Sequence, residues 1–169
     1  MLTSVVVLFE QPRRAMFQIV SSYPASVIIN TLQEASIPVN DVACLNELKK
    51  LDVRFRSQGD FSEPAGCRVK SAVRLSQAGQ IKLDNAPLLT CQMAMRLAKF
   101  SEDQLQIAAK DLLGTTVKRL KHIGTYNCRS MRQFKGVLSQ HAFANAIDVS
   151  GFELSNGTVI NVARDWKVA

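Results

Sequence analysis

Residues 124–148 read GTYNCRSMRQFKGVLSQHAFANAID, and within them Ser139-x-His141 is followed seven residues later by Asp148. An imidazole and a carboxylate are two of the side-chain types that bind zinc in catalytic sites. Here they stand among the small residues Ala142, Ala144 and Ala146, and the pattern reads as half of a metal site. The flanks of this stretch are extended. Upstream, TTVKRLKHIGTYNCR is a strand by its β-branched and aromatic residues. Downstream, AIDVSGFEL alternates, so that Ala146, Asp148 and Ser150 share one face and Ile147 and Val149 the other. Asn156-Gly157 is a strong hairpin signal, with TVINVARDW as the returning strand. Asp148 is therefore expected on a strand, facing away from the core-directed Ile147 and Val149.

Working outward, the middle of the chain is β-rich. Val53 and Phe55 alternate with Arg54 and Arg56 before the turn formers of SQGDFSEPAG, and CRVKSAVRL and QIKLD supply two further extended pieces. Helices flank this block. SVIINTLQEASI is a short helix stopped by Pro38, and Asp41 caps DVACLNELKKL, whose Leu45, Leu48 and Leu51 make one stripe. Asn85-Ala-Pro87 is expected to open a helix running to Phe100, and its Leu88, Cys91, Met95 and Ala98 stripe is core packing. Ser101-Glu-Asp-Gln104 has the form of a capping box for another helix, ended by Gly114. The expectation is an α+β domain, a small antiparallel sheet with helices packed on one face. Its limits are residues 39–169, preceded by an N-terminal extension over residues 1–38.

With 169 residues and 47% hydrophobic content, the chain is long enough for one domain with its own core. The formal charge of +7 favours acidic partners: nucleic acid, anionic headgroups or an anionic wall polymer. Small basic groups such as Arg13-Arg14 and Lys118-Arg119-Lys121 read as solvated surface. No membrane span and no signal peptide is recognisable, since the apolar start MLTSVVVLFE lacks a basic leader and a cleavage site. Cys44, Cys67, Cys91 and Cys128 form no C-x-x-C pair. Two disulfides in an oxidising compartment and four buried thiols both fit that spacing, and three pairings are open.

Several motifs, in order, resemble the bacterial extensin-like C-terminal domain family over residues 40 to 169. They are Cys44 with LNELKKLDVRF, Cys67, Leu89-Thr90-Cys91, Gly124-Thr-Tyr-Asn-Cys128-Arg129, Leu138-Ser-Gln-His141-Ala, Asn145-Ala-Ile-Asp148-Val-Ser-Gly151-Phe152, Asn156-Gly157 and Asp165-Trp166. That family is in turn similar to zinc D-alanyl-D-alanine carboxypeptidases and peptidoglycan endopeptidases, with their Ser-x-His-x-x-Gly-x-Ala-x-Asp motif. Ser139, His141, Ala146 and Asp148 match it, and Ala144 stands at the glycine position, a mild departure if φ there is negative. The resemblance implies a zinc-peptidase-like fold, with His141 and Asp148 as zinc ligands, Ser139 as a catalytic support and Arg129 as the guanidinium that binds substrate or an oxyanion. It also implies export to the periplasm, peptidoglycan or another anionic wall polymer as partner, and two disulfides. Cys44 with Cys67 is the first pair expected, because both flank one helix-to-strand passage.

One departure weighs on activity. A catalytic zinc takes about three protein ligands, and the related peptidases supply the third from a C-terminal His-x-His segment that would follow Ala169. His122 reads as an ordinary strand residue, and Glu153 and Asp165 do not stand at the general-base position. With two ligands zinc is held weakly, so the chain reads as truncated or degenerate, with a partial zinc-peptidase site inactive as it stands. The alternative is a non-catalytic wall- or protein-binding module. A nucleic-acid binder ranks last, since charge alone suggests it and aromatic residues are few.

Overall fold

The computed structural model describes residues 41–165, so the helix expected within residues 26–37 and the N-terminal extension lie outside the described residues. Helix α1 (Asp41–Leu48) leads into a long hairpin of β1 (Val53–Ser62) and β2 (Arg68–Ala78). Strands β3 (Ile81–Leu83) and β4 (Leu88–Thr90) follow, then helix α2 (Cys91–Phe100). The chain continues through a π-helical segment (Ser101–Leu105) into α3 (Gln106–Leu113), and Gly114 ends it in the left-handed conformation. Next come β5 (Val117–Gly124), a 3-10 turn (Gln140–Phe143), β6 (Asp148–Leu154), β7 (Val159–Asn161) and a single helical turn, α4 (Val162–Asp165).

The fold is α+β, around a seven-stranded sheet ordered β1-β2-β3-β5-β6-β7 with β4 also paired to β2. The sheet is mixed, not wholly antiparallel as expected. Strands β3 and β5 run parallel, with Lys82 opposite Arg119 and Leu83 opposite Leu120. Between them β4, α2 and α3 form the crossover that parallel neighbours require. In β1 the sequence alternation holds, with Val53 and Phe55 half-buried and Arg54 and Arg56 exposed. The turn-rich SQGDFS does not end that strand. A bulge at Gly59, φ +76°, absorbs it, and pairing resumes at Phe61 opposite Val69.

Two more expectations are corrected. Asn85 and Ala86 have positive φ, so the chain turns there instead of starting a helix, and Leu88–Thr90 pairs with β2. Helix α2 starts at Cys91, capped by Thr90, whose Oγ1 accepts the Met93 N–H at 3.2 Å. Ser101 is not the N-cap of a new helix: its backbone is helical, with its hydroxyl donating to the Leu97 carbonyl at 2.7 Å one turn back. One long helical rod therefore replaces two capped helices.

The main core joins the sheet to the helices through buried Leu48, Leu75, Ile81, Leu89, Leu97 and Leu120. Ile147 and Val149 pack against it while Asp148 stays more than half exposed, the facing expected from their alternation. A smaller cluster of Val69, Ala72 and Ala144, with Phe61, Leu88 and Tyr126 beside it, supports the turn that carries His141. Both disulfides are present, but the pairing is Cys44–Cys91 and Cys67–Cys128, not Cys44–Cys67. Proximity along the chain is overridden by the packing of α1 on α2, and by β4, which brings Thr90 opposite Ala72 and so carries Cys91 to Cys44. Among the described residues no helix is long and apolar enough to cross a membrane.

Candidate functional site

The site is assembled where β5 ends and β6 begins. Gly124 and Asp148 pair across these strands, and the 23 residues between them leave and return to the same point of the sheet. Residues 129–139 fold back as a small hairpin. Ser139 N–H donates to the Arg129 carbonyl at 3.0 Å, and Met131 N–H to the Val137 carbonyl at 2.8 Å. Ser139 then caps the 3-10 turn, its Oγ accepting the His141 N–H at 3.4 Å. Its hydroxyl is thus a positioning group for the turn. The motif serine recognised in the sequence is brought to the site through backbone geometry.

His141 is held on three sides. Asn127 N–H donates to its carbonyl at 3.1 Å, Ser139 receives its N–H, and its Nδ1 lies 2.9 Å from the Thr125 carbonyl. A carbonyl can only accept, so Nδ1 carries the hydrogen, and in the neutral ring Nε2 presents its lone pair. That nitrogen is 3.3 Å from Asp148 Oδ1. A lone pair facing a carboxylate oxygen repels it unless a cation lies between, either a proton on Nε2 or a metal ion. Two atoms bonded to a tetrahedral zinc at about 2.0–2.1 Å stand roughly 3.3–3.4 Å apart. The Nδ1–H to backbone carbonyl contact is also the outer support that metal-ligating histidines use. As two members of a zinc ligand set, His141 and Asp148 fit.

No third side chain of ligand type joins this pair among the described residues. Among the described residues no group of three His, Cys, Asp or Glu side chains could hold a metal ion. His122 is engaged on β5, its Nε2 2.7 Å from the Asp84 carbonyl, in keeping with its reading as a strand residue. Glu153 pairs with Lys118 at 2.7 Å and Arg119 at 3.2 Å, and these hydrogen bonds, Lys118 first, hold its carboxyl below the usual range. Asp165 accepts the Asn161 N–H and pairs with Arg164. Neither acid is available to the pair at Asp148. Arg129 is half-buried, with Nη1 donating to the Ser130 carbonyl at 3.2 Å.

The residues that support the site lie within the quoted motifs, but their supporting roles were not readable from them. Cys128 ties this loop to Cys67 at the start of β2. Tyr126 stacks edge-on to Phe61 with ring centres 5.2 Å apart and donates its hydroxyl to Glu63 Oε1 at 2.8 Å. Desolvation, then the hydrogen bond and charge of Glu63, pushes its phenol up to about 12. Thr125 acts through its carbonyl, which every residue type carries, so no side-chain signal could have singled it out. Ala144, at the motif's glycine position, has φ +52° and ψ +29°, not the negative φ that would make alanine harmless, and it is fully buried.

Residues 42–169 match the family described as Extensin-like protein C-terminus. No curated protein and no solved structure matches the chain.

Proposed function

The chain belongs to the extensin-like protein C-terminus family, and from that premise we propose that it is a cell-envelope protein with a partial zinc-peptidase-like site and no turnover of its own. The observation that carries this reading is the His141–Asp148 pair, with Nδ1 tied to Thr125 and Nε2 3.3 Å from the carboxylate. His141 and Asp148 would hold the metal, Ser139 would keep the turn in place, and Arg129 would face an anionic part of the ligand. A zinc ion bound there would supply Lewis acidity to a water or a carbonyl. A ligand set of two, as found among the described residues, makes zinc weakly held, which favours binding over catalysis. Two disulfides suit an oxidising, exported location such as the periplasm. The excess of basic residues suits peptidoglycan or another anionic wall polymer.

Zinc uptake measured by competition with a chromogenic chelator tests the metal assignment. The wild type should take up zinc weakly, and His141→Ala and Asp148→Asn should lower the affinity by at least about tenfold. Equal uptake by the variants, or none by the wild type, would overturn it. Incubating the zinc-loaded protein with muropeptides should yield no cleavage product. Product that disappears with His141→Ala would replace the non-catalytic reading with a peptidase.

A further inference from the structure

Just past the 3-10 turn, Asn145 helps to line an open cleft of about 240 Å3, whose polar wall also includes Arg68, Lys70, Ser71, Thr90 and Gln92. Strand alternation puts Arg68 and Lys70 on one face of β2, both exposed. Ser71 should then face the other way, but its φ of +48° breaks the alternation and brings it into the same wall. Its N–H is taken by Asp60 Oδ1 at 2.8 Å, and Asp60 does not line the cleft. Thr90 Oγ1 donates to Asn145 Oδ1 at 2.7 Å, which occupies the acceptor of that amide and leaves its NH2 as a donor.

The cleft is thus lined by a guanidinium, an ammonium, two hydroxyls, of which that of Thr90 is spent on Asn145, and amide donors. Among the described residues no Asp or Glu lines it, and neither Arg68 nor Lys70 makes an ion pair. A concave wall of one sign focuses the field on what enters it. The volume lies below the roughly 300–1,000 Å3 of drug-sized ligand pockets, so it suits one charged group with a few attached atoms. The disulfide Cys44–Cys91 and Phe143 complete the wall with apolar surface.

We propose that this cleft binds an oxyanion, the carboxylate or phosphate of a ligand, through Arg68 and Lys70, with the Ser71 hydroxyl and the Asn145 amide as directional donors. The inference does not rest on the metal assignment, because no residue of the cleft belongs to the His141–Asp148 pair.

Backbone amide NMR, titrating the protein at constant ionic strength with N-acetylglycine and separately with methyl phosphate, tests it. Saturable shifts at Ser71, Gln92 and Asn145 are expected from at least one probe, and the stronger probe identifies the ligand's anionic group. Arg68→Glu/Lys70→Glu should weaken binding by on the order of tenfold or more, since charge-assisted contacts are lost. Arg68→Lys/Lys70→Arg should retain it. Lys49→Glu/Lys82→Glu, an equal change of charge outside the cleft, should leave it unaltered. Absence of saturable shifts with both probes would overturn the proposal, as would equal affinity in Arg68→Glu/Lys70→Glu. Zinc uptake should be unchanged in the cleft variants, so failure of either site is read separately.

Discussion

Tyr126 joins the site loop to the β1–β2 hairpin through its ring on Phe61 and its hydroxyl on Glu63. Its phenol is pushed up to about 12 by desolvation and by Glu63, above the ordinary value near 10. The neutral phenol therefore binds its proton more tightly in the folded chain than in the unfolded one. The stability this contributes is complete below about pH 10 and is lost as pH rises through about 12. Thermal melts from pH 9 to 12 should show wild-type stability falling more steeply than that of Tyr126→Phe, which keeps the ring contact and lacks the proton. Parallel curves would remove the coupling. At this scale the sequence conveyed chemistry better than conformation. The His141–Asp148 pairing was legible because an imidazole and a carboxylate stand at a recognisable spacing. The positive φ of Ala144 was not, because alanine usually avoids it. Left-handed backbone costs such a residue about 1–2 kcal/mol, and burial of its methyl against Val69 and Ala72 returns roughly 0.8 kcal/mol.

Strand β6 starts with Asp148, so its placement sets the site, and Gly151 controls how closely β7 approaches it. A Cβ at Gly151 would run into the Ile160 carbonyl oxygen of β7, a backbone atom that cannot swing aside. Gly151→Ala should cost on the order of 1–3 kcal/mol, as overpacking does, read as a lower urea midpoint. At Gly124 the nearest atom to a new Cβ is Asp148 Oδ2 at 3.9 Å, an ordinary contact, so Gly124→Ala should fold with nearly wild-type stability. Equal midpoints for the two variants would refute the strand-approach argument. Strands β1 and β6 were legible from alternation, and β5 from its β-branched and aromatic residues. The start of α2 was misplaced because Pro87 resembles a first-turn proline, whereas the operative signal was the Thr90 hydroxyl three residues before Met93. Strand β7 is shorter than its apolar run suggests, because Asn161 Oδ1 accepts the Arg164 N–H and caps α4.

For the whole molecule, the disulfides span separations of 47 and 61 residues, and loop-closure entropy assigns each about 4 kcal/mol. They differ in what they join. Cys44–Cys91 links two helices on one side of the parallel β3–β5 contact, while Cys67–Cys128 links the β2 end of the sheet to the loop after β5. Cys67→Ser/Cys128→Ser should cost about 2–4 kcal/mol and raise amide exchange at Leu83 and Leu120 more than in the β1–β2 hairpin. Uniform exchange across the sheet would contradict a bridging role. The pairing itself was not legible, since four cysteines carry no record of which helices and strands pack together.

That parallel contact has a consequence for the order of assembly. Strands β1 and β2 are joined by a short turn, and so are β6 and β7, so each hairpin can form early from contacts near in sequence. The two residue pairs of β3 and β5 are separated in sequence by the whole helical rod, so they should close only after it has formed and docked. Distant pairings require loop closure before their contacts stabilise the chain. The folding domain therefore carries an open strand edge along β3 and β5 until this late step, which makes that edge its principal exposure to misassociation during refolding.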